Sequence, residues 1–406
     1  MAASKRKVSK RVGSVPKPSV KKVSKKTAKK SKRVANVTGG QVLSIVAAVK
    51  KKLTKIKPAD RVFQSGSDDS LSQVVEWIPT GFPGLDYNLG GGWPVGRASE
   101  VSGPAGSGKS ALSQMAMKGV QSIGGVALVL DFELATDPEK LEKLGIDAAR
   151  CAIFYPRYIE EAWDIIYAAL DECRRKPPDA PLLIIWDSIA SAPSKSQYER
   201  VSLDKALVAT QARAFSDGCK RMYRYIALTR AHMMWINQER VNMKAMSFGP
   251  QTKTPGSAEL EFAATARVRC TRVLTEKAST KAGALKTGYR IKTTTNKCRG
   301  FPPHRVTEWV LDFEHGPSPE LTMWAILLEA QLLHRTGVGV YTLRNDTSQV
   351  SVTKANWIST LKENPEFRAA VESAYLEVNR VGGVLPYLDT NKKSIEDFAP
   401  DDGEDE

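Results

Sequence analysis

Apolar residues between positions 75 and 320 fall into short runs, separated by longer stretches with helical spacing. The clearest runs are "ASEVSG", "VALVLDF", "PLLIIWD" and "HMMWINQ". Runs of this length are typical of buried strands, and strands that alternate with helices form mostly parallel sheets. The pattern therefore predicts an α/β fold with one mostly parallel sheet over residues 75–320.

The pattern changes on either side of this region. Toward the N-terminus, "QVLSIVAAVKKKLTKI" places its apolar residues on one helical stripe, and the polar stretch after it is typical of a linker. We predict a helix and linker over residues 39–74, with the stripe packed either locally or on a neighbouring subunit. Over residues 321–388, two helical patterns flank the hairpin candidate "VYTLRN…QVSVT", which indicates a small separate α/β domain.

Composition narrows the class of protein. The chain has 406 residues, of which 42% are hydrophobic and 26% are charged, as in soluble globular proteins. A membrane span needs about 18 consecutive apolar residues, and the sequence has no such run. The five cysteines are scattered without a C-x-x-C pair, which favours a reducing cytoplasm over disulfides or a zinc site.

Charge is concentrated at the two ends of the chain. The net charge is +16, and all fourteen charged residues among the first 35 are Lys or Arg. We predict that residues 1–38 form a disordered basic arm, which binds polyanions without reading sequence or serves as a solubilising or targeting tail. At the other end, "EDFAPDDGEDE" has seven acidic residues, so we predict an acidic tail over residues 389–406.

The stretch "GPAGSGKS" has the spacing G-x-x-x-x-G-K-S of a phosphate-binding loop, between a strand candidate and a helical pattern. Its glycines let backbone N–H groups approach phosphates at a helix N-terminus. Lys109 is expected to reach the β- and γ-phosphates of a nucleotide, and Ser110 to ligate Mg²⁺. The predicted nucleotide-binding residues of this loop are Gly103, Pro104, Ala105, Gly106, Ser107, Gly108, Lys109, Ser110 and Ala111.

Acidic residues end two of the predicted strands. Asp187 follows "PLLIIW", where a carboxylate beside a phosphate loop orients Mg²⁺. Asp131 and Glu133 end "VALVLDFE" two residues apart, and we expect both on the same side of the strand. Glu133 is a candidate to orient or deprotonate the attacking water. The alternative for Glu133 is an ordinary surface acid at a strand end.

Several ordered blocks together resemble the RecA family of homologous-recombination ATPases, including its phage members of the UvsX type. These blocks are "IPTGFPGLDYNLGGGWPVGRASEVSGPAGSGKS", "LDFELATDPEKLEKLGID", "WDSIASAPSKSQYE" and "WINQERVNMKAMSFGPQTKTPGSAELEF". The resemblance covers roughly residues 41–385. It implies a RecA-type ATPase core, an N-terminal helix that docks on a neighbouring subunit, and a small C-terminal domain.

The resemblance also implies roles at the ATP site. Glu133 stands at the family's catalytic glutamate, and Asp137 at the residue that packs near the adenine. Lys140 replaces the aromatic that usually stacks on the base. Asp187 lies at the Mg²⁺ strand, after which "PSKSQYE" resembles the start of a first DNA-binding loop. Gln238 stands at the residue that senses the γ-phosphate and begins a second DNA-binding loop, so it would couple ATP to DNA.

Subunit contacts are implied in the same way. Phe262 matches an aromatic that contacts the adjoining protomer. Lys297 matches one of two lysines that reach a neighbour's ATP, and Lys297 is therefore a catalytic candidate in trans. Thr295 stands at the other lysine position, for which Arg299 is a possible substitute.

The implied DNA contacts lie on a helix and on the second loop. Cations would bind phosphates, and Met or Phe side chains would wedge between base steps. The alternatives are a solvated helix face for the helical cations and an ordinary core role for the apolar residues. The candidates are Arg213, Lys220, Arg240, Met243, Lys244, Met246, Phe248, Lys253, Gly256 and Ser257.

The resemblance thus implies a DNA-dependent ATPase that uses ATP and Mg²⁺ and polymerises as a helical filament on single-stranded DNA. It would exchange strands with homologous double-stranded DNA in the cytoplasm of a bacterium or an infected bacterial host. A single-strand-binding protein or a loader would be a further partner. Two other classes remain open from the sequence: a hexameric helicase-like motor, and a structural filament protein that binds ATP.

Overall fold

The structure is a computed structural model. It describes residues 74, 76–175, 180–200, 210–241, 252–254, 258–280, 283–344 and 350–380. The predicted basic arm, nearly all of the N-terminal helix and linker, the acidic tail and six DNA-binding candidates lie outside the described residues. Those six are Met243, Lys244, Met246, Phe248, Gly256 and Ser257.

The elements up to the second predicted DNA loop alternate strands with helices. They are β1 (Trp77–Ile78), α1 (Pro83–Leu89), β2 (Trp93–Pro94), β3 (Ala98–Gly103), α2 (Lys109–Ser122), β4 (Val126–Asp131), α3 (Pro138–Lys143), β5 (Cys151–Phe154), α4 (Ile159–Arg175), β6 (Leu182–Asp187), α5 (Lys195–Tyr198), α6 (Thr210–Ala227), β7 (Ala231–Gln238) and β8 (Arg240–Val241).

The remaining elements begin with a short strand and helix, followed by a long hairpin. They are β9 (Thr252–Lys253), α7 (Ala258–Ala263), β10 (Ala266–Thr280), β11 (Gly283–Cys298), β12 (Val306–Asp312), β13 (Gly316–Ser318), α8 (Pro319–Glu329), β14 (Leu333–Gly337), β15 (Val340–Leu343), β16 (Ser351–Val352), α9 (Trp357–Glu363) and α10 (Pro365–Arg380).

A nine-stranded sheet in the order β13-β12-β11-β10-β3-β7-β6-β4-β5 forms the centre of the fold. The six strands from β10 to β5 pair in parallel, whereas β11, β12 and β13 extend the sheet in antiparallel fashion. The prediction of an α/β fold with a mostly parallel sheet is confirmed. The four apolar runs are its central strands β3, β4, β6 and β7.

Helices cover both faces of this sheet, which explains why strands such as β4 and β6 are continuously apolar rather than alternating. Along β6, Leu183 and Ile185 pack with α2, whereas Ile184 and Trp186 pack with α4 and α6. Two apolar cores therefore hold the strands from opposite sides. Each core uses every second residue of a strand, as the two-residue repeat of a strand requires.

The register of the sheet brings strand ends together at one edge. Gly103 pairs with Gln238, and Asp131 pairs with Asp187. In parallel sheets, ligands bind beyond the carboxyl ends of the strands. The sheet therefore places the phosphate loop, two acidic strand ends and Gln238 at a common edge.

A second, smaller sheet follows in the chain. Strands β14, β15 and β16 form it, and with α8, α9 and α10 they enclose an apolar cluster that includes Trp324, Trp357 and Phe367. The division of the chain into five segments, with a separate domain over residues 321–388, stays a prediction. Within the described ranges, no helix combines the length and the apolar composition that a membrane crossing requires.

Candidate nucleotide site and nucleic-acid interface

The phosphate loop leaves β3 at Gly103 and enters α2 at Lys109. Two of its glycines are required by their surroundings. A Cβ at Gly103 would lie 2.2 Å from the carbonyl oxygen of Cys270, and one at Gly108 would lie 2.8 Å from the Trp309 ring. Gly108 also has a φ of +85°, in the left-handed region. The bare backbone therefore follows from close packing as well as from turn geometry.

Lys109 lies folded into this loop. Its ammonium donates to the carbonyl oxygens of Gly103 at 3.0 Å and Pro104 at 2.7 Å. Burial lowers the pKa of Lys109, an effect that nearby acidic side chains partly offset. The Ser107 hydroxyl is buried and has no hydrogen-bond partner among the described residues. A lysine cation, an unsatisfied hydroxyl and the N-terminus of α2 together fit a polyphosphate.

Ser110 and Asp187 could hold a divalent cation. The Ser110 hydroxyl donates to Asp187 Oδ2 at 3.4 Å. The pKa of Asp187 is raised to about 7. Burial is the largest cause, and the neighbouring Glu133 and Asp131 carboxylates contribute the rest of the increase. A hard cation such as Mg²⁺ prefers oxygen ligands and would relieve this crowding of negative charge. The donor set therefore fits the predicted metal site.

Asp131 and Glu133 do not share one side of a strand, so that expectation is wrong. Strand β4 ends at Asp131, which is buried. The Asp131 carboxylate accepts hydrogen bonds from the backbone N–H groups of Glu133, Ala135 and Thr136 at 2.8–3.0 Å. These bonds turn the chain after the strand. Glu133 consequently lies in a bend, exposed and free to face other strand ends.

Glu133 meets donors from two other strand ends. Its Oε1 atom accepts hydrogen bonds from the Gln238 amide at 2.7 Å, the Ser188 hydroxyl at 2.5 Å and the Ser191 hydroxyl at 3.0 Å. Ser188 and Ser191 were not among the predicted residues. The signal available was a pair of hydroxyl residues in "DSIAS", directly after the strand that ends at Asp187.

Glu239 was also missed. Its backbone N–H donates to the Gly103 carbonyl at 3.1 Å, the same oxygen that accepts from Lys109. Its carboxylate forms two hydrogen bonds with Arg269 of β10, at 2.5 and 2.8 Å. The strand end that presents Gln238 is therefore anchored on the phosphate loop and on β10.

Asp137 and Lys140 lie beside this edge on α3. Asp137 caps the helix, with Oδ1 accepting from the Glu139 N–H at 3.0 Å. Lys140 is exposed on the same helix. The structure thus gives Asp137 a capping role, and its predicted contact with adenine stays a prediction.

The helical DNA candidates are exposed cations on α6. The Arg213 side chain is 87% exposed, and that of Lys220 is 57% exposed and lies 3.7 Å from Glu259. Arg240 is exposed on β8, opposite Lys253 on β9. This pairing closes the two ends of the second predicted DNA loop on each other. It places Arg240 at the foot of that loop, two residues from Gln238.

Phe262 and Lys297 lie together at the end of α7. Phe262 is 65% exposed. Lys297 and Arg299 donate to the backbone carbonyl of Phe262 at 3.4 and 2.8 Å, and burial lowers the pKa of Lys297. Thr295 is fully buried and bonded to the Arg305 carbonyl. Within one chain, these cations hold a helix end, and their contact with a neighbour's ATP stays a prediction.

A phosphate loop between a buried strand and a helix, with an acidic strand end beside it, defines a P-loop nucleotide-binding protein of the α/β class. Residues 42–318 match the family model described as the RecA N-terminal domain. The chain belongs to the RecA family. It is thereby a protein of DNA recombination and repair that binds ATP and DNA.

Curated relatives called Protein RecA extend the match over most of the chain. One from Frankia alni is 31% identical over 342 residues, which cover 82% of this chain and 92% of the relative. One from Nostoc sp. is 31% identical and covers 83% and 90% in the same order. One from Synechococcus sp. (strain CC9605) is 32% identical and covers 77% and 81%.

Asp187 is expected to make the metal-free protein less stable as pH rises from about 4 to about 7. Its pKa is raised from 3.8 to about 7 by burial and neighbouring carboxylates, so the folded state favours the protonated form. Stability is then greatest below the unfolded pKa and falls by about 4 kcal/mol as pH rises through the folded pKa, at about 1.4 kcal/mol for each unit of pKa difference. Urea unfolding of wild-type protein and Asp187→Asn across this range measures the effect.

The control for this prediction is Asp217→Asn, which makes the same change on the exposed face of α6. We expect it to retain the wild-type pH slope, whereas Asp187→Asn flattens it. Identical slopes in all three proteins would show that the Asp187 carboxyl does not resist ionisation in the folded chain.

Proposed function

We propose that this protein is an ATP-dependent DNA recombinase, which forms helical filaments on single-stranded DNA and exchanges strands with a homologous duplex. The main support is the hydrogen bond between the Gln238 amide and the Glu133 carboxylate. Gln238 ends the strand that leads to Arg240 and the second predicted DNA loop. One side chain thus lies between the site of ATP hydrolysis and a candidate DNA contact.

In this proposal the chain's own groups bind and orient ATP. Lys109 leaves the Gly103 and Pro104 carbonyls and binds the β- and γ-phosphates, while the Ser107 hydroxyl and the N-terminus of α2 complete the cradle. Ser110 and Asp187 would hold Mg²⁺, which would supply positive charge that offsets the charge of the phosphates. Glu133 orients the attacking water and accepts its proton.

Gln238 couples nucleotide state to DNA affinity. Its amide donates to Glu133 and is placed to donate to a γ-phosphate oxygen, and either bond fixes the end of β7. Arg240 follows on the same backbone and provides a cation for a DNA phosphate. If ATP changes the affinity for DNA through this segment, DNA must change the affinity for ATP by the same factor.

Filament formation places ATP between protomers. The exposed Phe262 side chain and the cations Lys297 and Arg299 form a patch at the end of α7 that suits a neighbouring copy. A cation supplied across the seam would tie hydrolysis to assembly. Arg213, Lys220 and Arg240 would bind DNA backbone without reading sequence, so base pairing would read homology.

Three assays on the full chain test this proposal. Electron microscopy with single-stranded DNA and a non-hydrolysable ATP analogue should show helical filaments. ATP turnover should rise when single-stranded DNA is added, and strand exchange should require a homologous duplex. Closed rings would indicate a helicase-like motor, and filaments without ATP turnover would indicate a structural ATP-binding protein.

Deleting residues 1–35 is expected to lower the salt dependence of DNA binding. The segment has fourteen Lys and Arg residues and no acidic residue. Each phosphate contact that a cation makes on single-stranded DNA contributes about 0.7 to the slope of log K against log salt. The slope should be measured by fluorescence anisotropy from low to moderate salt.

A second variant separates charge from length in this test. It keeps residues 1–35 but replaces every Lys and Arg there with Gln, and we expect it to match the deletion. If both variants bind DNA with the wild-type slope, the arm makes no DNA contact.

A further inference from the structure

A short 3-10 turn, Ile189–Ser191, lies at the junction of three functional regions and has no role in the proposed function so far. It follows Asp187 and Ser188 at the end of β6. Its serine hydroxyl faces the Glu133 carboxylate, and its backbone carbonyls face the segments that flank the two predicted DNA loops. We call these residues the 189–191 turn.

The contact with Glu133 is made by Ser191. Its hydroxyl donates to Glu133 Oε1 at 3.0 Å and lies 3.0 Å from the Ser188 hydroxyl. Gln238 and Ser188 donate to the same carboxylate oxygen. Because several donors converge on one oxygen, they fix the carboxylate direction in a way that a single bond cannot. Moving Ser191 would therefore turn the Glu133 side chain.

The first contact on the DNA side is made by Gln211, the second residue of α6. Its amide nitrogen donates to the carbonyl of Ile189 at 3.2 Å and to that of Ala192 at 2.7 Å. Gln211 follows directly on the stretch that contains the first predicted DNA loop. A displacement of the start of α6 is transmitted through one hydrogen bond to the turn and one to Ala192, which directly follows it.

The second contact on the DNA side is made by Arg240, at the foot of the second predicted DNA loop. Its guanidinium donates to the Ala190 carbonyl at 3.4 Å, and the bond is exposed. A bond of this length in water is weak, so Arg240 can exchange the carbonyl for a DNA phosphate at little cost. DNA in the second loop would then release one restraint on the turn.

We propose that Ser191 is a positioning residue for ATP hydrolysis, and that the 189–191 turn relays DNA occupancy of both loops to Glu133. The inference rests on the proposed function and adds a route to it. Gln238 reports only on the second loop, whereas the turn is bonded to the flanks of both. Ser191 touches neither ATP nor DNA in this scheme and acts through the direction of the Glu133 carboxylate.

The test compares Ser191→Ala, which removes the hydroxyl, with Ser191→Thr, which keeps it. The control Ser359→Ala removes a hydroxyl from the exposed face of α9, which bonds to the Asn356 carbonyl at the start of the same helix. We expect Ser191→Ala to lower DNA-stimulated kcat about fivefold, a size typical of coupling networks. The KM for ATP and the DNA affinity with a non-hydrolysable analogue should stay within about twofold, and the DNA-free kcat should fall by less than the DNA-stimulated kcat.

Gln211→Ala supplies a second arm of the test, because it cuts the link to the first loop. It should lower DNA stimulation to a similar extent, and the double variant with Ser191→Ala should be no worse than either single variant. If two residues act along one route, removing both lowers DNA stimulation no more than removing one, whereas the effects of independent residues add. Rescue by Ser191→Thr together with this non-additivity would establish the relay.

Two results would overturn the inference, and they can be told apart from a failure of the proposed function. Full DNA stimulation in Ser191→Ala would remove the relay while leaving a DNA-dependent ATPase. An equal fall in DNA-free and DNA-stimulated kcat, or a loss of DNA affinity, would leave Ser191 a positional or structural role without the relay. If wild-type protein shows no DNA stimulation at all, the proposed function fails first, and the relay with it.

Discussion

Replacing Glu133 with glutamine is expected to slow ATP hydrolysis by roughly 10²–10⁴-fold while leaving ATP binding intact. An amide cannot accept the proton of the attacking water. Its oxygen can still accept the bonds that Ser188, Ser191 and Gln238 now donate to Glu133 Oε1, so the geometry of the edge should persist. The loss should appear in kcat rather than in nucleotide affinity.

Single-turnover hydrolysis and binding of a fluorescent ATP analogue measure the two quantities separately. Glu142→Gln, an exposed acid on α3, is the matched control and should hydrolyse ATP at the wild-type rate. If Glu133→Gln keeps its turnover, a residue other than Glu133 must accept the proton of the attacking water. Asp131 is a poor substitute because both of its oxygens already accept backbone N–H groups.

The central sheet and the phosphate loop could be predicted because the signal for each lies in a few consecutive residues of the sequence. Strands β4 and β6 are buried on both faces, and each appears in the sequence as an apolar run that is unbroken up to its final Asp. Strands β3 and β7 are equally buried but include polar residues such as Glu100 and His232. The loop's glycines and Lys109 have fixed spacing. The loop lies close to Asp187 because parallel pairing aligns the carboxyl ends of neighbouring strands.

The antiparallel extension of the sheet could not be read from the same pattern. Strand β11 contains "RIKTTTNK", in which polar and charged residues outnumber apolar ones. It pairs with β10 along nearly its whole length and with β12 over residues 288–294, and polar side chains there find partners on the neighbouring strands. Thr293, for example, is buried and donates to the Thr307 carbonyl. Such pairing depends on partners that sequence periodicity does not identify.

Buried ion pairs were invisible for a related reason. Glu100 is fully buried in β3 and is bonded to Arg267 and Asn237. In the sequence, Glu100 interrupts an apolar run and its partners lie more than a hundred residues away. The pair Glu239–Arg269 likewise joins the residue that follows β7 to a residue of β10, 30 positions further along the chain. Only the strand order β10-β3-β7 brings these residues into contact.

The arrangement around Glu133 shows how local turns decide a site. The sequence identified Glu133 as a candidate but placed it beside Asp131 on a strand. The Asp131 carboxylate instead binds the backbone of the next residues and ends the strand early. Asp and Asn favour such turns because their short side chains reach the backbone a few residues ahead. Glu133 thereby turns toward Ser188, Ser191 and Gln238.

Replacing Lys109 with alanine is expected to lower kcat/KM for ATP by roughly 10²–10³-fold or more, because the phosphates lose a positioned positive charge. The ammonium is held inside the loop by the Gly103 and Pro104 carbonyls, within reach of a bound polyphosphate. Lys118→Ala, on the exposed side of the same helix, is the matched control and should behave as wild type. ATP binding and steady-state turnover are the measurements.

Loss of the fold would not explain this result. Burial lowers the pKa of Lys109, which means that the folded chain resists its charge, so removing the ammonium relieves that cost at neutral pH. Lys109→Ala should therefore unfold cooperatively and keep its DNA affinity in the absence of nucleotide. If it unfolds cooperatively and still turns over ATP at the wild-type rate, the loop from Gly103 to Ser110 does not hold the triphosphate. The roles proposed for Asp187, Glu133 and Gln238 around that triphosphate would then lose their common substrate.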